Sequence, residues 1–378
     1  MTKIFDWKNT EDPRDVVHLA VQAVAEGHIV AVPGDCFYLL VGSGIHPSTV
    51  SKLGQLAQLA PNSIGLTLMM RSASELLDYF PTISASVRRF ASKAWPAPLT
   101  FDLEDSHPSS LLRCLAPESI AEMKQKSGKI RTSQASHPLF EDMGKLLAGP
   151  LLAAPAVDSR GSLARNLASI TAQSYTIGID DGETSPNGLP TLLEFEQNLA
   201  KIMREGILPL DYLKTLSRWT VLFVCTGNTC RSPMAQALMN QKIAKRFGNK
   251  LSPKDFPVSA MSAGIAAYGG DAASPGAINA MMKYKIRLEN HCSSQLTRDM
   301  VDQADLILTM GSRHKHVIVS QWPNTSNKVH LLSPDGAEIT DPFGGPLDVY
   351  EHCAEQLDRY TDYWLEQLNV TELIEWQS

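Results

Sequence analysis

Val221-Leu222-Phe223-Val224-Cys225-Thr226-Gly227-Asn228-Thr229-Cys230-Arg231-Ser232-Pro233-Met234-Ala235 decides the fold of the second half of this chain. Its four leading apolar residues match a short buried strand, and the small residues that follow suit a tight loop. Ser232-Pro233 then opens a helix, with Ser232 as N-cap and Pro233 as the first helical residue. Strand, loop and helix N-terminus in that order make an anion cradle. Unpaired backbone N–H groups and the positive end of the helix dipole converge there. Cys225 stands at the strand end and Arg231 six positions later. Such a cradle favours the thiolate, the nucleophilic form of cysteine. The planar fork of an arginine holds two oxygens of a tetrahedral oxyanion. Cys-x5-Arg alone also occurs in strands where the spacing means nothing; its setting in VLFVCTGNTCRSPMA argues for chemistry.

Outward from this stretch, Val258–Gly264 is a second strand ending in a turn, and 273–285 has helical spacing. Residues 306–310 and 329–332 supply a third and a fourth strand, and 351–368 is an amphipathic closing helix. Short apolar strands separated by helices predict a doubly wound, parallel, four-stranded sheet with helices on both faces. The loop after Cys225 then lies at the carboxyl ends of the strands, where open α/β sheets bind ligands.

The first half alternates helices and short apolar strands up to about residue 213, which indicates a second α/β domain built on a twisted sheet. Helical spacing over 13–27 ends at Gly27, a strand over 29–32 is halted by Pro33-Gly34, and 199–206 is a final helix or edge strand. The expected domains are 1–213 and 219–378, with a short connection between Leu213 and Thr220. A chain of 378 residues holds two such cores.

Composition excludes several classes. Charge is nearly balanced in both halves, with 19 Lys and Arg against 23 Asp and Glu up to Lys214, and 15 against 17 after it. Neither half is a basic nucleic-acid binder. The N-terminus MTKIFDWKNTED has no apolar signal core, and no run approaches membrane-spanning length. Six scattered cysteines make no disulfide framework, and ten scattered histidines show no zinc spacing. Cys36, Cys114, Cys292 and Cys353 are expected to pack, and His314 and His316 to sit on a solvated helix start. A thiolate nucleophile needs a reducing compartment, so the expected location is the cytoplasm.

Residues 219 to about 370 resemble the low-molecular-weight protein tyrosine phosphatase family through the stretch around Cys225 and through Asp341-Pro342-Phe343-Gly344-Gly345. The resemblance implies Cys225 as nucleophile, Arg231 as phosphate clamp and Asp341 as general acid on a loop over the site. It implies phosphate contacts along Thr226, Gly227, Asn228, Thr229, Cys230 and Ser232, and substrate contact at Phe343. Asn228, Ser232 and Ser262 would brace the loop, and Cys230 would trap an oxidised Cys225. The chemistry implied needs no metal and no cofactor, and its partner is a phosphorylated protein.

Within that family, tyrosine-specific members carry patterns such as Cys-Leu-Gly-Asn-Ile-Cys-Arg. CTGNTCRSPMA and DPFGG are more similar to the bacterial protein-arginine phosphatases. Thr229 makes the pocket floor polar, which suits a guanidinium better than a phenyl ring, and phosphoarginine is the favoured substrate over phosphotyrosine. A thiol-linked arsenate reductase shares the loop pattern but needs two further cysteines close together, and Cys292 has no sequence neighbour.

The first half resembles the threonylcarbamoyl-AMP synthase family. The shared landmarks are 27–38, Trp95-Pro96-Ala97-Pro98-Leu99-Thr100, Arg131, 150–161 and Met203-Arg204-Glu205-Gly206. Its polar groups depart from the family. Gln58-Leu59-Ala60-Pro61 replaces Lys-x-Arg before proline, Pro155-Ala156-Val157 replaces Ser-Ala-Asn, and Pro190-Thr191-Leu192 replaces Ser-Thr-Val. The expectation is a catalytically degenerate copy that keeps the scaffold. A weak site for a nucleotide, threonine or RNA stays open, as does a binding protein with the phosphatase as passenger.

Overall fold

The computed structural model describes residues 2–61, 64–248, 251, 255–368, 370 and 373–377. The chain divides into two compact units, Met1–Leu213 with Ile374–Ser378, and Lys214–Leu373. Ile374–Ser378, expected in the second domain, therefore belongs to the first. The stretch expected as a plain connection is largely helical, Leu210–Ser217.

The first unit is built on an eleven-stranded mixed sheet among the described residues. Its strands are β1 Lys3–Asp6, β2 Val30–Pro33, β3 Tyr38–Ser43, β4 Thr67–Met69, β5 Leu99–Leu103, β6 Ile130–Ser133, β7 Leu151–Pro155, β8 Ile177–Asp180, β9 Thr191–Glu196 and β10 Leu199–Arg204, with Glu375–Gln377 as the eleventh. The 199–206 stretch is thus an inner strand, because Glu375–Gln377 pairs alongside it in parallel. Helix Pro13–Ala25 starts at Asp12, whose carboxylate accepts from the Arg14 N–H at 2.9 Å. It buries Val16, Val17, Ala20, Ala23 and Val24, in one apolar cluster with Leu139, Phe140 and Met143 of helix Pro138–Leu146. An aromatic cluster fills another part of the unit. Phe101 lies 4.5 Å from Trp95 and 5.0 Å from Phe195, and Phe90 meets Trp376 at 5.9 Å.

The second unit is a four-stranded sheet, with β11 Trp219–Cys225, β12 Val258–Gly264, β13 Leu306–Thr309 and β14 Val329–Leu331 in the order β12–β11–β13–β14. Every pairing is parallel. β11 is apolar and buried from Val221 to Cys225 because both faces are covered there. Val221, Phe223 and Cys225 join a cluster with helices Arg231–Phe247, Pro275–Met282 and Leu347–Gln367. Leu222 and Val224 face the other way, toward Val301 and Ile318 of helices Arg298–Gln303 and Ser312–Gln321. This is the doubly wound arrangement expected from the sequence, with the helices 273–285 and 351–368 observed as Pro275–Met282 and Leu347–Gln367.

Two side-chain expectations are corrected. Cys114 and Cys292 are exposed, not packed, whereas Cys36 and Cys353 are buried. Burial pushes both of these inner thiols up to about 12, which leaves them inert near neutral pH. Among the described residues no helix is long and apolar enough to cross a membrane, and no group of three His, Cys, Asp or Glu is placed to hold a metal ion.

Candidate active site

β11 ends on Cys225, opposite Gly264 in the register with β12. The backbone of the following loop lies directly against that glycine. A Cβ at 264 would sit 2.5 Å from the Thr226 carbonyl oxygen and 2.9 Å from the Asn228 nitrogen. Only a residue without a side chain lets the loop close there.

The helix after the loop starts two residues earlier than the sequence suggests. Arg231 is its first residue and Cys230 its cap, so Ser232 is not the N-cap and Pro233 is not the first helical position. The reason is a competing set of partners. Fully buried Ser232 places its Oγ 2.9 Å from Cys225 Sγ and accepts from Asn228 Nδ2 at 2.9 Å. Its hydroxyl is used inside the loop and does not cap the helix.

Asn228 holds the loop's shape. It is fully buried and adopts φ +56°, a left-handed conformation that asparagine tolerates better than most residues. Its backbone N–H donates to Cys225 Sγ at 3.2 Å, and its Nδ2 also donates to Ser262 Oγ at 2.9 Å. Ser262 donates in turn to Gln236 Oε1 at 2.6 Å. On the other side the Ser294 N–H donates to Asn228 Oδ1 at 2.8 Å, and His291 Nε2 lies 2.7 Å from the Asn228 carbonyl oxygen. Every polar atom of the Asn228 side chain is thereby satisfied, which fixes the backbone that faces the sulfur.

Thr229 is tied through its backbone, since its carbonyl accepts from the Ser274 N–H at 2.8 Å. Its half-buried hydroxyl lies 3.7 Å from Cys230 Sγ, and that sulfur donates to Ser274 Oγ at 3.1 Å. Gly227 leaves the loop open, with Thr229 Oγ1 at 3.7 Å as the nearest atom to a Cβ there.

Arg231 is 7% exposed, and its fork is divided. One end donates to the Ile339 carbonyl at 3.1 Å, the other to Asp341 Oδ2 at 2.5 Å. The Asp341 side chain is half exposed, and its Oδ1 accepts from the Phe343 N–H at 3.2 Å. Phe343 itself is largely exposed. Asp341, more than a hundred residues beyond Cys225 and Arg231 in sequence, is thus drawn to the same end of the sheet and held on Arg231.

His314, expected on a solvated helix start, is instead buried, while His316 is exposed. Its Nε2 lies 3.0 Å from Thr226 Oγ1. Burial and the nearby Arg231 guanidinium push its pKa below the usual histidine range. Gln236, His291, Ser294 and His314 were not anticipated. Only His314 left a signal, its i, i+4 spacing to the buried Ile318.

Residues 220–372 match the family model described as low molecular weight phosphotyrosine protein phosphatase. Among curated relatives, a protein-arginine-phosphatase of Bacillus subtilis is 39% identical over 152 residues, covering 39% of this chain and 95% of that protein. Through this half, the chain belongs to the low-molecular-weight phosphotyrosine protein phosphatase family. It is a cysteine-based protein phosphatase. A protein-arginine-phosphatase of Geobacillus stearothermophilus is also 39% identical, over 40% of this chain and 97% of the relative. A probable low molecular weight protein-tyrosine-phosphatase, EpsP of Ralstonia nicotianae, is 37% identical over 40% of this chain and 97% of its own length. Residues 22–206 match the Sua5–YciO–YrdC model, described as telomere recombination.

Proposed function

We propose that this phosphatase works through a phosphocysteine on Cys225 and prefers phosphoarginine to phosphotyrosine in protein substrates. The observation that carries the mechanism is the 2.5 Å contact between Arg231 and Asp341. A phosphoryl group entering the loop brings oxyanions to the Arg231 fork, where they compete with the Asp341 carboxylate. Displaced from the guanidinium, the Asp341 carboxylate takes up a proton from solvent and meets the leaving group on the opposite side of phosphorus from the sulfur.

The Cys225 sulfur attacks phosphorus, supported by the Asn228 N–H and the Ser232 hydroxyl. The bond from phosphorus to the guanidine nitrogen or phenol oxygen breaks as Asp341 delivers its proton to that atom. Asp341, now a carboxylate, takes a proton from water. The water oxygen attacks phosphorus, the S–P bond breaks, and inorganic phosphate leaves with the thiolate restored. Loop N–H groups and Arg231 hold the equatorial oxygens through both steps. The cytoplasm, a reducing compartment, keeps Cys225 competent.

The substrate preference rests on Thr229, a half-buried polar group where an aliphatic residue would favour a phenyl ring, and on an acidic Asp341 suited to a cationic guanidinium. Two of the relatives described above are named protein-arginine-phosphatases. Side-by-side turnover of phosphoarginine and phosphotyrosine peptides tests this. Wild type should favour phosphoarginine, Thr229→Ile should shift the ratio toward phosphotyrosine by about tenfold, and Cys225→Ser should abolish both, a loss of at least about 10⁴-fold. A wild type that prefers phosphotyrosine, with Thr229→Ile neutral, sinks the arginine assignment.

For the first unit we propose a non-synthetic copy of the threonylcarbamoyl-AMP synthase scaffold. The cavity lined by Asp35, Cys36, Thr67, Thr100, Ser133 and Arg204 has a volume of about 50 Å³. An adjoining cavity lined by Cys36, Phe37, Ser162 and Arg165 has about 290 Å³, so the reading rests on the polar groups replaced at Gln58, Pro155 and Pro190 and not on lack of space. Threonine- and bicarbonate-dependent release of pyrophosphate from ATP is expected to stay at background. Release at a catalytic rate would overturn the reading.

A further inference from the structure

Asp341 belongs to a loop that is pinned on both sides. Upstream, the Ile339 N–H donates to the Met310 carbonyl, just past β13, at 2.8 Å, and the Ile339 carbonyl accepts from Arg231. Downstream, 342–345 is a turn in which the Gly345 N–H donates to the Pro342 carbonyl at 2.9 Å. Gly344 takes φ +77° there, the left-handed conformation that the third position of such a turn requires. The chain then enters helix Leu347–Gln367, whose first turn carries Tyr350.

Tyr350 is 4% exposed, and three segments meet at it. Its ring lies against the start of helix Pro275–Met282, where a Cβ at Gly276 would fall 2.6 Å from two of the ring carbons. Its hydroxyl accepts from the Ser274 hydroxyl and from the Gly344 N–H, and lies 3.9 Å from Cys230 Sγ. Ser274 is itself fastened to the loop that follows Cys225. Its N–H donates to the Thr229 carbonyl at 2.8 Å, and its Oγ accepts from Cys230 Sγ at 3.1 Å and from the Ala277 N–H at 3.3 Å. Burial raises the phenol's pKa, so the hydroxyl stays neutral near pH 7. The ring alone would fill the same space as phenylalanine. What tyrosine adds is one oxygen between the Asp341 loop and the Cys225 loop.

We infer that Tyr350 is a positioning residue whose hydroxyl ties Gly344 to Ser274 and Cys230, and so fixes where Asp341 comes to rest once Arg231 releases it. The inference rests on the phosphatase reading and concerns the reach of its acid. With Arg231 turned to an oxyanion, the pins left on the loop are Ile339, two residues before Asp341, and Gly344, three after it. Displacing a reacting group by about 1 Å costs on the order of 100-fold in rate. A loop that keeps one pin of two loses part of that.

The test uses the full chain with Tyr350→Phe, which keeps the ring and removes the oxygen. On phenyl phosphate, whose leaving group needs a proton, kcat/KM is expected to fall about tenfold. On dinitrophenyl phosphate, whose leaving group needs none, it should stay within about twofold of wild type. Inhibition by inorganic phosphate, which reads the grip of the Cys225 loop, should not change. Tyr350→Phe combined with Asp341→Asn should lose no more on phenyl phosphate than Asp341→Asn alone, because the hydroxyl acts through that carboxyl. Amide hydrogen exchange supplies a readout without turnover. The peptide spanning 341–346 should exchange several-fold faster in Tyr350→Phe, with 226–231 and the rest of the chain as in wild type, which also shows that the variant folds. Unchanged exchange over 341–346, equal losses on the two substrates, losses that multiply in the double variant or weaker inhibition by phosphate would each overturn the inference. A wild type that hydrolyses no phosphate compound, with faster exchange over 341–346 in the variant, supports the tie at Gly344 and removes the phosphatase reading alone.

Discussion

Two buried arginines, Arg131 in the first unit and Arg231 in the second, each meet a carboxylate, and the carboxylates differ. Arg131 engages Asp102 with two bonds of 2.8 Å, both side chains about 5% exposed, and adds a bond to the Ile64 carbonyl. Arg231 engages Asp341 with one bond, and that aspartate is half exposed on a loop whose Phe343 faces solvent. The first pair closes on itself between two paired strands, β5 and β6, in register Asp102↔Arg131. In the mechanism proposed above, the second opens when an anion offers the guanidinium a better partner. The same two residue types build a rivet in one unit and a latch in the other. What separates them is the freedom of the carboxylate.

That contrast can be broken in two ways. Asp102→Asn leaves Arg131 buried and charged beside a neutral amide, and should cost about 3–5 kcal/mol of stability. Thermal unfolding would show it as a large drop, with phosphatase turnover by the remaining folded protein unchanged. A negligible drop would mean that the pair is not a rivet. Asp341→Asn should do the reverse. Stability stays within about 0.5 kcal/mol of wild type, as for other changes at exposed positions, while kcat falls about 100-fold through loss of the proton donor. The loss should shrink for a substrate with an acidic leaving group, which needs no proton. An equal loss on both substrates would make Asp341 a structural partner of Arg231 and no acid.

The latch was more legible in sequence than the rivet. Cys225, Arg231 and the left-handed Asn228 are written into one contiguous loop, and four short apolar runs between helices are enough to specify a parallel sheet. Arg131 was visible only as a landmark, because its partner Asp102 is 29 positions away and nothing local marks the two as opposed across strands. The misplaced cap has a similar origin. Ser232 has the composition of an N-cap, but a loop that buries a sulfur beside it gives its hydroxyl better partners. The return of Ile374–Ser378 to the first unit was invisible for a third reason. Pairing of Glu375–Gln377 with β10 joins segments separated by some 170 residues, and strand periodicity carries no address. Arg313-His314-Lys315-His316 looked solvated because charge surrounds it, yet helical spacing turns His314 inward with Ile318 and leaves His316 outside.

Each unit also holds a histidine whose pKa burial lowers, and the pair yields the finest test of how the units differ. His137 is half-buried, lowered by burial but raised in part by Asp181, 3.5 Å from its Nε2. His314 is lowered by burial and by Arg231 together, with weaker raising contributions. In both, the folded pKa lies below the ordinary 6.5, so the unfolded chain takes up the proton first as pH falls. Their stabilisation is therefore fully present above pH 6.5 and is lost as pH drops below it toward the folded values. Between pH 7 and 5 the melting temperature should fall. His314→Gln should flatten that slope clearly, and His137→Gln should flatten it less, because Asp181 already offsets part of its burial. A steeper slope in either variant would mean that the imidazole is charged in the folded protein. For His314, that would place a second cation against Arg231 and turn the Thr226 hydroxyl's neutral partner into part of the anion trap itself.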